Sequence, residues 1–173
     1  NLKSTVDALP VFIQDKTIAL FTKNEVYTES EIRSRYEILL ENYYKTINIE
    51  AMTLISMTKK DIMGAALEYQ YTVAEVVNAK QATNVALSVR AEEKLLTKAA
   101  ELTEQLTERL EKLEADVEKV DETQEALAIA KYYREVVFTD MNQLREIIDA
   151  LEVLVPSDIW PYPTYGEILY SVK

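Results

Sequence analysis

From Val11 to Val155 the chain contains no proline and a single glycine, Gly64. Strands that reverse direction about every 8–12 residues need turn formers at similar intervals, and here they are missing. A many-stranded β fold is therefore excluded. The expected fold class is all-α, an antiparallel bundle of long amphipathic helices ending in a proline and aromatic carboxy-terminal tail.

At 173 residues the chain is long enough to bury the core of one domain. It opens Asn-Leu-Lys without an initiator methionine, which fits either trimming or a segment of a longer protein. With no cysteine there are no disulfides, thiolate metal sites or cysteine nucleophiles, and with no histidine the commonest general base and transition-metal ligand is missing too. Net charge is -11. Glu92 to Glu125 carries twelve acidic and five basic residues, so nucleic acid and anionic membranes are repelled. No apolar run approaches the roughly 18 residues of a membrane span and no signal peptide leads the sequence. A cytoplasmic protein is expected.

The periodicity supplies the helices. ALPVFIQDKTIALF predicts a short helix after Pro10. Thr28-Glu29-Ser30-Glu31 has the spacing of a capping box, in which threonine and glutamate each satisfy the other's backbone N–H. The helix it opens should bury Ile32, Tyr36, Leu39, Tyr43, Ile47, Leu54 and Ile55, with a slip in phase after Ile47. Glu37, Glu41, Lys45 and Asn48 lie opposite, with Glu41 and Lys45 in the favourable i,i+4 order. Gly64 is expected to kink or end the helix. The pattern then resumes through Leu67, Tyr69, Val73, Val76 and Val77, and a turn is expected between Lys80 and Arg90.

Two further helices are predicted. One buries Leu95, Ala99, Leu102, Leu106, Leu113, Val117 and Val120, with Glu101, Glu104, Glu108, Glu111, Glu118 and Glu122 opposite. The other buries Ala130, Val137, Met141, Leu144, Ile148, Leu151 and Val155. They should pair as an antiparallel hairpin turning near Val120 to Thr123. Beyond Pro156 the composition changes: Trp160, Pro161, Tyr162, Pro163, Tyr165 and Gly166 lie close together in a tail that is not expected to be helical. Rigid aromatic anchors of this kind dock onto a bundle face or a neighbouring domain.

None of these features carries catalysis. Glu101-x-x-Glu104 and Glu108-x-x-Glu111 resemble a dimetal motif only superficially, because the Glu-x-x-His pairs of such bundles need histidine and a core-facing stripe. A phosphate-cradling loop needs clustered glycines, and two distant ones do not make it. No catalytic, cofactor-binding or metal residue is assigned. The candidate docking residues are Trp160, Tyr162, Tyr165 and Tyr170.

Several stretches carry a family resemblance. SEIRSRYEILLENYYKTINIEAMTLISM from Ser30, KYYREVVFTDMNQLREIIDALE from Lys131, DIWPYPTYGEILYSV from Asp158 and the leading DALPVFIQDKTIALF are similar to the carboxy-terminal region of bacterial type III glutamine synthetases. The segment Lys94 to Thr123 matches least. The resemblance implies a parent enzyme, large and oligomeric, in which ATP phosphorylates glutamate, ammonia attacks the acyl phosphate and a divalent metal, Mg or Mn, balances charge. It also implies that the catalytic residues lie in an upstream domain of the same chain. On that reading residues 1–28 are a lead-in from the catalytic domain, 29–155 a helical bundle and 156–173 a docking tail. The segment would be inert alone and would support domain packing or assembly of a homo-oligomeric ring. The alternative from composition alone is a stand-alone helical interaction module.

Overall fold

The computed structural model describes residues 2, 4–83, 85–120 and 124–170. Among these there is no strand. The helices are α1 (Thr5–Phe12), α2 (Asp15–Lys23), α3 (Glu29–Met57), α4 (Met63–Gln81), α5 (Arg90–Glu118), α6 (Ala126–Tyr132), α7 (Phe138–Leu154) and α8 (Tyr165–Tyr170). Single π-helical turns at Thr58–Ile62 and Tyr133–Val137 join α3 to α4 and α6 to α7. The chain divides into two compact units. One comprises Asn1–Met52 with Ala115–Thr139, and the other Thr53–Glu114 with Asp140–Lys173.

In the first unit a helix starts earlier than the sequence predicts. Ser4 caps α1 by accepting from the Asp7 N–H, and Pro10 lies inside the helix. Pro10 has no N–H for the Val6 carbonyl, a loss tolerated in a helix that stops two residues later. α2 ends without glycine. The Val26 N–H returns to the Phe21 carbonyl and that of Glu25 to Thr22, a Schellman closure with Glu25 in the left-handed position at φ 54°. Val6, Leu40 and Ala130 form the buried centre, with Leu9, Tyr36, Tyr43 and Tyr44 packed on it. Arg134 pairs with Asp7 at 2.8 Å, and the Tyr44 and Tyr133 rings stack at 5.9 Å.

The predicted capping box opens α3: the Thr28 N–H donates to Glu31 Oε2 at 2.8 Å and the Glu31 N–H to Thr28 Oγ1 at 3.3 Å. The buried stripe differs from expectation by one residue, since Leu39 is exposed and Leu40 is buried. It continues through Ile47, Ala51, Ile55, Thr58 and Ile62 without slipping at Ile47. From Ile32 to Ile62 most steps are four residues, longer than the 3.6 of an α-helix. The wide turn at 58–62 takes up the surplus. Gly64 therefore breaks nothing: it sits inside α4, and a Cβ there would meet no atom within 4 Å.

In the second unit α4 ends at Gln81 and α5 begins at Arg90, so the turn falls where it is expected. Lys59 pairs with Glu114, Gln70 Nε2 donates to Thr103 Oγ1 at 2.8 Å, and Lys80 pairs with Glu92; partner numbers fall on α5 as they rise along the chain. Ala99, Leu102, Leu106 and Leu113 are buried as predicted, and so is Leu110. Leu95, Leu67 and Val76 are exposed, contrary to the stripes drawn through them. Of the last predicted stripe, Val137, Leu144, Ile148, Leu151 and Val155 are buried, together with Asp140, which Lys112 neutralises. Glu122 and the turn expected at 120–123 lie outside the described residues, apart from Val120.

Candidate docking site at the carboxy-terminal end

All four candidate docking residues belong to the second unit, and its local chemistry sorts them. After α7 the Pro156 carbonyl accepts from the N–H groups of Ile159 and Trp160, both at 3.0 Å, a tight turn that carries Trp160 inward. The indole is buried, at 7% exposure. Two residues on, the Tyr162 hydroxyl donates to Asp61 Oδ2 in the first π turn. Burial, then the hydrogen bond to Asp61 and its charge, pushes the phenol up to about 12.

Residues 164–170 depart from the irregular tail that the composition predicts. Thr164 and Glu167 form a second capping box, with the Thr164 N–H donating to Glu167 Oε2 at 2.8 Å and the Glu167 N–H to Thr164 Oγ1 at 3.3 Å. The spacing T-x-x-E is present in TYGE, but the neighbouring prolines obscure it. Pro163 lies just before the cap, where a missing N–H costs nothing to the helix. The box starts α8, a helix of six residues. Its first residue is fixed twice: the Tyr165 N–H donates to Glu152 Oε1 at 3.0 Å, and Arg145 Nη2 donates to the Tyr165 hydroxyl.

Trp160, Tyr162 and Tyr165 thus anchor the tail on its own unit, whereas Tyr170 is 86% exposed. With it Ile168 and Leu169 remain in solvent at 60% and 71% exposure. The receivers Asp61, Arg145 and Glu152 carry no signal in the sequence; as charged residues on helix exteriors they look like any solvated surface until the tail lies over them. Among the described residues no three histidine, cysteine, aspartate or glutamate side chains are grouped to hold an ion. No helix among them is long and apolar enough to cross a membrane.

The glutamine synthetase C-terminal domain family matches residues 1–81. A glutamine synthetase of Butyrivibrio fibrisolvens is 37% identical over the whole of this chain, which covers 25% of that relative. The chain belongs to the glutamine synthetase family, as its carboxy-terminal region. A type-3 glutamine synthetase of Dictyostelium discoideum is 31% identical over 98% of the chain, and a glutamine synthetase of Bacteroides fragilis 24% identical over 99%. The chain spans about a quarter of the length of the glutamine synthetases it matches. The resemblance in WPYPTYG and SRYEILLENYY thus rests on whole-length similarity.

Proposed function

We propose that this chain is the non-catalytic helical end of an ATP-dependent glutamate–ammonia ligase of the cytoplasm, and that it supports packing against the upstream catalytic domain or assembly of a homo-oligomer. The observation that carries the reading is the division of labour in the tail. Trp160, Tyr162 and Tyr165 fix α8 to its unit, and the helix so fixed turns Ile168, Leu169 and Tyr170 to solvent. A short helix held by several side chains with an apolar surface left over is suited to burying that surface against a partner.

In this reading ATP and the divalent metal are held upstream, in the catalytic domain of the longer enzyme. The test is removal of Asp158 to Lys173 from the full-length enzyme, followed by light-scattering mass and thermal inactivation. The expected result is a smaller assembly or faster inactivation. Unchanged mass and inactivation would refute the proposal.

A further inference from the structure

α4 carries apolar side chains on the face that its own core does not use. Ala65, Ala66, Tyr69 and Val73 are buried, whereas Gly64, Leu67, Tyr71 and Glu75 follow one another at three- and four-residue steps on the opposite side, all exposed. Leu67 and Tyr71 leave 54% and 64% of their surface in solvent. The outer side of α5 has Glu101, Glu104, Glu108 and Glu111 at similar steps, the composition of a face that stays in water. Gly64 has no reason within its own chain. Its φ is not positive, a Cβ there would meet no atom within 4 Å, and glycine is less favourable in a helix interior than any residue but proline. What glycine supplies on an outer face is bare backbone, which another element can approach closely.

The face is complementary to itself. Lys60, one turn before Gly64, is exposed and has no ion-pair partner among the described residues. At the other end the Glu75 carboxylate acts on the Tyr71 hydroxyl, through a hydrogen bond first and its charge second, and raises the phenol above its ordinary range. Turned end for end about a two-fold axis between Leu67 and Glu68, two copies of α4 place Lys60 opposite Glu75 and Gly64 opposite Tyr71, each contact made twice. The two Leu67 side chains then flank the axis, and Glu68 falls to one side, in the solvated rim. We propose that the outer face of α4 binds the same face of a second copy of this chain, antiparallel, through Lys60–Glu75 pairs and a Tyr71 ring laid on Gly64. The net charge of -11 opposes association at long range, but charges beyond a Debye length of about 8 Å are screened at physiological salt, so the local pairs decide. The surface is separate from that of α8 and the inference does not depend on it.

The test is sedimentation equilibrium of the 173-residue chain at concentrations up to about 1 mM, with circular dichroism to verify the helix content of each variant. The expected result is a monomer–dimer equilibrium. Gly64→Leu should raise the urea midpoint of the dilute chain through helix propensity and yet abolish the dimer. Lys60→Glu should weaken the dimer about tenfold, because two symmetry-related attractions become repulsions, and adding Glu75→Lys should restore it to within about threefold. A chain that stays monomeric throughout, a dimer untouched by Gly64→Leu, or a Lys60→Glu defect that Glu75→Lys leaves unrepaired would overturn the proposal.

Discussion

The chain contains the same helix start twice. Thr28 with Glu31 and Thr164 with Glu167 make reciprocal bonds of 2.8 and 3.3 Å in each box, and the first backbone bonds, from Ile32 to Thr28 and from Ile168 to Thr164, are 3.1 and 3.0 Å. The helices beyond the two caps differ. The first box opens a helix of 29 residues and the second a helix of six. The apolar residue after the glutamate is Ile32 in one and Ile168 in the other, 0% and 60% exposed. A cap specifies where a helix begins; burial of the face behind it decides how far the helix continues and whether it is stable unaided. α8 has the signal without the burial. Its own unit supplies Trp160, Tyr162 and Tyr165 instead, and Ile168, Leu169 and Tyr170 stay 60%, 71% and 86% exposed.

The comparison breaks first at the anchors. Trp160→Ala should cost about 3–5 kcal/mol in urea unfolding, the usual range for a buried aromatic, and should speed amide exchange at Glu167 and Ile168 while Glu31 and Ile32 keep their protection. Equal loss at both boxes would mean that Trp160 does not hold α8 in particular. Truncation at matched positions is next. Ile32→Ala should cost about 2–4 kcal/mol and Ile168→Ala less than about 0.5 kcal/mol in the chain alone, a contrast that urea midpoints measure.

Tyr162→Phe removes the bond to Asp61 and should cost about 1 kcal/mol. The sign of its pH dependence is that of a phenol raised in the folded state: the stabilisation is fully present below pH about 10 and is lost as pH rises through about 12. Spectrophotometric titration should show one late phenol that is absent from the variant. The smallest effects belong to the caps. Thr28→Ala and Thr164→Ala should each cost about 1 kcal/mol or less. The Glu31 and Glu167 carboxyls are held below their ordinary range chiefly by the backbone N–H of Thr28 and Thr164. Their contribution is therefore present above the ordinary glutamate range and lost as acid titrates the folded carboxyl. Amide shifts of Thr28 and Thr164 should move together, with midpoints below that range.

Much of the helical content was legible because the sequence lacks breakers and because Thr28 to Glu31 has a cap spacing. The stripes of α5 and α7 were mostly readable, since leucine and glutamate separate cleanly there, but Leu95 proves exposed and the buried Leu110 was missed. α3 was harder. With apolar residues on several faces, Ile38, Leu39 and Leu40 compete for the buried side, and only the four-residue steps relieved at Thr58–Ile62 select Leu40. α2 is closed off by Glu25 in a conformation that usually signals itself with glycine, so its stop was invisible. In the tail, composition suggested docking but hid the second box. The sequence also had no means of showing that Tyr162 and Tyr165 are satisfied by Asp61 and Arg145, pairs 101 and 20 residues apart.

The central claim is that the apolar surface of α8 has a partner in the longer enzyme. The direct measurement is the light-scattering mass of full-length glutamine synthetase carrying Ile168→Ser, Leu169→Ser and Tyr170→Ser together, which leaves Trp160, Tyr162, Tyr165 and both capping boxes intact. A reduced mass, with an unchanged urea midpoint for the 173-residue chain bearing the same three changes, is the predicted result. An assembly of undiminished mass and thermal stability would contradict it.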